Sequence, residues 1–129
     1  MQETQALAAL SALAHETRLQ ILRLLVPHGG DGMAAGEIGA QVACSASRLS
    51  FHLSAMEQAG LIAARRDGRR VIYSAERRQI GGLIHYLLND CCAGDATVRG
   101  CCQAGHQAQG HGHGHAHGVL PHCSGSSNT

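Results

Sequence analysis

The stretch from Glu37 to Ser74 leaves this chain few architectures, because its apolar pattern switches from a helical period to a two-residue period across Gly60. Glu37, Ile38, Gln41 and Val42 fit a short helix, Ala43-Cys44 a tight turn, and Ser45 the N-cap of a further helix that ends before Gly60. Residues 61–66 and 69–74 then read as strands separated by Asp67-Gly68, a dipeptide that favours a type I′ hairpin. Two short helices on a tight turn followed by a β-ribbon predict a helix-turn-helix with an appended hairpin.

Upstream, Leu7, Leu10 and Ala14 repeat at helical spacing. After the polar segment 15–18, the run Leu19, Ile21, Leu22, Leu24 and Leu25 predicts a second, largely buried helix, stopped by Pro27 and the glycines of 29–32. Downstream, Ile80, Leu83, Ile84, Leu87 and Leu88 lay an apolar stripe along a last helix that Gly81 and Gly82 weaken. Such a helix needs a packing partner, either its own core or a second copy in a two-fold dimer. With one Phe, two Tyr and no Trp, the core must be built from Leu, Ile, Val and Ala, which suits a mainly α fold of packed helices. A chain of 129 residues with 44% apolar content supports one modest core and excludes a large multidomain enzyme. No apolar run approaches the roughly 18 residues of a membrane helix. The segment Met1-Gln2-Glu3-Thr4 lacks the basic start and apolar run of a signal peptide, so a cytoplasmic location is expected. In that reducing compartment six cysteines read as thiols or thiolate ligands.

A net charge of +1 hides an uneven distribution. Residues 45–80 carry seven arginines (Arg48, Arg65, Arg66, Arg69, Arg70, Arg77, Arg78) against Glu57, Asp67 and Glu76, a local net of +4. On the helix that starts at Ser45, Leu49, Leu53 and Met56 share one face, and Ser47, Phe51 and Ser54 lie opposite, flanked by Arg48. An exposed Phe in a chain with only one fits an apolar contact to a thymine methyl, and Ser47 and Arg48 near the helix start fit phosphate or base-edge contacts. Arg65, Arg66, Arg69 and Arg70 surround the hairpin turn. Like charges facing across a ribbon are unfavourable without an anion, and DNA phosphate would supply one.

The string from Leu13 to Leu22 (Leu-Ala-His-Glu-Thr-Arg-Leu-Gln-Ile-Leu), the segment Ala35-Gly36-Glu37-Ile38, the run Ser47-Arg48-Leu49-Ser50-Phe51-His52-Leu53, then Gly60-Leu61-Ile62 and the arginine hairpin resemble the ArsR/SmtB family of winged-helix repressors over roughly residues 5–90. The resemblance implies a homodimer that binds double-stranded, palindromic operator DNA and leaves it when an inducer, usually a metal or metalloid ion, binds. It makes 45–59 the recognition helix, and the first and last helices the dimer contacts. Candidate DNA contacts are then Ser45, Ser47, Arg48, Ser50, Phe51 and His52 on that helix and Arg65, Arg66, Arg69 and Arg70 on the wing. His52 falls at the margin of the buried face, so a structural role stands beside a base contact. Cys44, in the turn, reads as a small buried apolar residue.

The inducer site follows from the cysteines. Residues 34–40 lack the Cys-x-Cys pair of one class of arsenic sensors, and the last helix, with His85 alone, lacks the Asp and His set of the zinc and cobalt sensors. Cys91-Cys92 and Cys101-Cys102 remain, with Gly94 and Gly100 allowing the chain to fold back. Soft thiolates select soft ions. The arrangement resembles the arsenite-responsive repressors whose cysteines follow the last helix, which implies As(III), or Sb(III), held by Cys91, Cys92 and one of Cys101 or Cys102. A four-sulfur zinc or cadmium site and a Cys91–Cys101 disulfide switch are the alternatives from the same residues.

Composition shifts near Cys91. The expected organisation is a DNA-binding and dimerisation domain over 1–92 and a flexible, largely disordered Cys/His/Gly-rich tail over 93–129. His106, His111, His113, His115, His117 and His122 read as an accessory tract for zinc, nickel or copper, with Cys123 as an extra thiol. A zinc-, nickel- or redox-responsive repressor of the same fold, or a metal chaperone or storage protein, are the competing functions. An enzyme is not expected, because the chain offers no nucleophile, base and orienter set and no phosphate-binding glycine loop.

Overall fold

The structure, a computed structural model, describes the backbone of residues 1–111 and the side chains as far as residue 104. Two compact units are present, Met1–Leu83 and the segment from Ile84 onward.

In the first unit, α1 (Glu3–Leu13) packs on α2 (Glu16–Leu25) and on α4 (Ala46–Gln58). Its buried face is Ala6, Ala9 and Ala12, while Leu7 and Leu10 are 58% and 40% exposed. The leucine spacing that signals this helix therefore marks its outer side, and the small alanines let it lie close to the core. Chain entry into α2 is set by His15, whose Nδ1 accepts the Thr17 N–H at 3.2 Å. Ile21 and Leu25 are fully buried but Leu19 is exposed, so α2 is half-buried rather than largely buried. Only one stripe of a helix can face a core this small.

α3 (Ala35–Val42) ends at Ala43 in the left-handed conformation (φ 51°), and the Cys44 N–H closes the turn on the Gly39 carbonyl at 3.2 Å. Ser45 then caps α4 as expected, its Oγ accepting the Arg48 N–H at 3.4 Å. Ser45→Ala should cost about 1 kcal/mol of stability, read as a lower denaturation midpoint with unchanged m-value. Leu49, Leu53 and Met56 of α4 join Ile38, Leu61, Ile62 and Ile72 in the core.

The sheet has three antiparallel strands in the order β1 (Met33–Ala34), β3 (Arg70–Ala75), β2 (Ile62–Asp67). The two-residue β1 is too short to announce itself in sequence. The hairpin register differs by one position from the sequence expectation: Asp67 pairs with Arg70 and Arg66 with Val71. Gly68 and Arg69 are thus the central turn residues, and only Gly68 takes a positive φ (66°), as in a type II′ rather than a type I′ turn. The arginines consequently do not face one another across the ribbon. Placing the lone glycine at the first central position avoids forcing Asp67 or Arg69 to positive φ.

α5 (Arg77–His85) carries Leu83 into the core of the first unit and continues into a π-helical turn, Tyr86–Cys91. In the second unit, Ala93 (φ 53°) and Gly94 (φ 71°) reverse the chain, and α6 runs over Ala96–His111. A helix thus occupies part of the segment expected to lack regular structure. Its start is local: Asp95 Oδ1 accepts the N–H groups of Thr97 and Val98 at 2.9 and 3.0 Å, and no proline interrupts the run. His113, His115, His117, His122 and Cys123 lie outside the described residues, as do the side chains of His106 and His111. No helix among the described residues is long and apolar enough to cross a membrane.

Candidate nucleic-acid interface and thiol site

α4 presents the outward row that its periodicity predicts. Ser47, Arg48, Ser50, Phe51 and Ser54 are exposed, with Phe51 at 66%. Ser45 spends its hydroxyl on the cap, accepting the Arg48 N–H. His52 does not belong to this row. It is 7% exposed, its Nδ1 accepts the Arg18 Nε–H at 3.1 Å, and its ring lies 4.5 Å from that of His15. A position one step past Phe51 rotates about 100°, into the core.

The four wing arginines divide into two pairs. Arg65 donates to the Gly30 and Asp31 carbonyls at 2.9 and 3.1 Å, pinning β2 to the segment before β1. Arg70 reaches Glu37 of α3 at 3.4 Å, and the same carboxylate oxygen accepts the Ala34 N–H at 3.0 Å. Both partners of that ion pair are more than half exposed, so it orients the wing more than it stabilises the fold. Arg66 and Arg69, beside and within the turn, hold no hydrogen bond or ion pair among the described residues. They are the wing cations left for an external anion, a distinction invisible to a count of charges.

In the second unit, Cys91 is exposed and Cys92 half-buried. A side-chain hydrogen bond with Cys91 raises the Cys92 thiol above the usual cysteine range, followed by burial and by the charges of Cys91 and Asp95. The reversal holds through Cys92 N–H to Leu87 O at 3.0 Å and Gly94 N–H to Leu88 O at 2.8 Å, and Arg99 of α6 donates to Asn89. Cys101 is half-buried and Cys102 exposed on α6. Gly100, expected to help the chain fold back, sits within α6, and the reversal falls to Ala93-Gly94. Among the described residues no three His, Cys, Asp or Glu side chains come together as a metal-binding group.

An outward polar helix with one exposed aromatic, preceded by a tight turn and followed by an arginine-tipped hairpin, defines a winged helix-turn-helix, the architecture of DNA-binding regulators. A helix-turn-helix domain family matches residues 13–65. Over 88 residues the chain is 40% identical to the HTH-type transcriptional regulator YgaV of Escherichia coli K12, covering 68% of this chain and 87% of that protein. It is 35% identical over 92 residues to a probable mercury resistance operon repressor of Streptomyces lividans, 70% of each chain. The homodimeric winged helix-turn-helix DNA-binding domain of Mb0332 from Mycobacterium bovis, described as a possible ArsR-family transcriptional regulator, superposes with a TM-score of 0.56 at 29% identity, covering 66% of this chain and 77% of that one. The chain belongs to the ArsR/SmtB family of winged-helix regulators.

Proposed function

We propose that the protein is a homodimeric repressor that binds a palindromic operator through α4 and the wing tip and leaves it when arsenite or antimonite is taken up by Cys91, Cys92 and one of Cys101 or Cys102. The observation that carries this reading is the hydrogen-bonded Cys91-Cys92 pair in the turn that continues α5, with a second cysteine pair one chain reversal away. Arsenous acid exchanges its three hydroxyls for three thiol sulfurs and releases three waters, so only soft, closely placed thiols satisfy it. The Streptomyces relative, named for mercury resistance, supports a thiophilic ion as the class of inducer. Dimerisation is supported by the exposed Leu7 and Leu10 of α1 and Ile84 of α5, apolar side chains that the described residues leave uncovered, and by the homodimeric Mycobacterium relative.

Collecting three thiolates on one ion moves α6 against Cys91-Cys92, since no such group of three exists among the described residues. That movement distorts the Tyr86–Cys91 turn and through it α5, which changes the spacing of the two recognition helices from the roughly 34 Å that successive half-sites require. The test is fluorescence anisotropy of the reduced chain on the DNA preceding its own gene, titrated separately with arsenite, antimonite, zinc, nickel and peroxide. Arsenite should weaken operator affinity by about 5- to 150-fold, and operator should weaken arsenite binding by the same factor. Cys91→Ser or Cys92→Ser should abolish the response and leave the ion-free affinity intact. A zinc or nickel response that survives both substitutions moves sensing to the histidine tract, and release by peroxide alone moves it to thiol oxidation.

A further inference from the structure

We propose that Arg18 is a positioning residue for DNA reading: with His52 it forms a latch that sets α4 against the α1–α2 junction, and protonation of the His52 ring opens the latch, so operator binding falls in acid. This rests on the regulator reading above and adds a residue that makes no demand on the thiols.

Arg18 touches three elements at once. Its Nη1 donates to the Ala12 carbonyl near the end of α1 at 3.3 Å, its Nε donates to His52 Nδ1 at 3.1 Å, and its guanidinium lies 5.5 Å from the centre of the Phe51 ring. One side chain thereby grips two consecutive residues of α4, Phe51 facing out and His52 facing in. Guanidinium carries only donors, so the contact requires an unprotonated Nδ1 and places the ring proton on Nε2.

A second proton on His52 removes the acceptor and sets imidazolium against guanidinium. The groups facing the ring offer no relief. From α2 and its cap come Arg18 and the His15 ring at 4.5 Å, from α4 comes Arg48, and from the α3–α4 turn comes Cys44. Among the described residues, no carboxylate lines the roughly 320 Å³ cavity at this point. Burial, and then the charges of His15, Arg18 and Arg48, hold the His52 proton affinity below the ordinary histidine range. A lowered histidine value favours the neutral fold, so the latch is complete above the ordinary value of about 6.5 and is lost as pH falls through the lowered one.

The experiment measures affinity of the full-length chain for the DNA preceding its own gene between pH 7.5 and 5.5, with circular dichroism to confirm folding. Wild type should lose affinity progressively toward pH 5.5, by severalfold and by less than about tenfold, the ceiling for one proton taken up below the ordinary histidine value. His52→Asn retains an oxygen acceptor that does not titrate. It should bind within about threefold of wild type at pH 7.5 and show a flat profile. Arg18→Ala should bind about tenfold more weakly at pH 7.5 and lose the acid dependence. A wild-type profile that is flat, or an acid loss that persists in His52→Asn, overturns the latch. Should Arg18→Ala fail to fold, the His52→Asn profile still decides. Absence of operator binding by wild type at every pH overturns the regulator reading and the latch with it, whereas binding with a flat profile overturns the latch alone.

Discussion

Gly32→Ala is expected to destabilise the winged unit by about 3 kcal/mol or more, combining backbone strain with overpacking. Gly32 has φ 66° and ψ −164°, a region that residues with a Cβ essentially do not enter. An added Cβ would lie 2.3 Å from the Tyr73 carbonyl oxygen and 3.0 Å from Ile72 Cγ2. Neither atom has room to withdraw, because Tyr73 pairs with Met33 on one side and Ala64 on the other. Thermal unfolding should show a drop of more than about 10 °C, given roughly 4–8 °C per kcal/mol in a unit of this size. Gly36→Ala is the control. It lies in α3, where an added methyl would meet nothing within 4 Å, and it should gain about 0.5–1 kcal/mol of helix propensity. Equal melting temperatures for the two variants would contradict the assignment of β1 against β3.

Replacing Arg66 and Arg69 together by alanine should weaken operator binding strongly while leaving the folding stability within about 0.5 kcal/mol of wild type, because neither side chain supports the fold. The diagnostic readout is the slope of log affinity against log salt, which should fall by about 0.9 for each phosphate no longer neutralised, hence by up to about 4 for a homodimer that loses both subunits' pairs. Arg65→Ala should behave differently. Its guanidinium holds two carbonyls of the segment before β1, so its removal should lower stability first and alter the salt slope least. A double variant with an unchanged slope would remove the wing tip from the DNA interface.

The helix-turn-helix and the hairpin were legible because their signals are local. Ser45 announces a helix start by its own hydroxyl chemistry, and the outward Phe51 opposite Leu49, Leu53 and Met56 follows from the helical period alone. The hairpin's existence was equally clear, but its register was not. Asp67-Gly68 and Gly68-Arg69 are both acceptable turns from sequence, and the choice falls to pairing along β2 and β3, which puts Ile62 and Ile72 into the core. α6 was missed because glycine-rich composition outweighed the one informative residue, Asp95, whose capping role is visible only once the chain reverses at Ala93-Gly94. The cysteine pairs were evident, yet the placement of the second pair on a folded helix was not.

Patterns spanning a few residues, governed by backbone sterics and side-chain periodicity, determined that this chain forms short packed helices with a basic hairpin, and they picked out its thiols. Three matters were settled only in the fold: alanines rather than leucines line the inner face of α1, Arg65 is held while Arg66 is not, and His52 turns inward to Arg18. Each of these depends on a partner far away in the chain, such as Gly30 for Arg65 and Arg18 for His52. Local propensity carries no information about such partners, because the energy of a buried contact is defined only when both sides are in place.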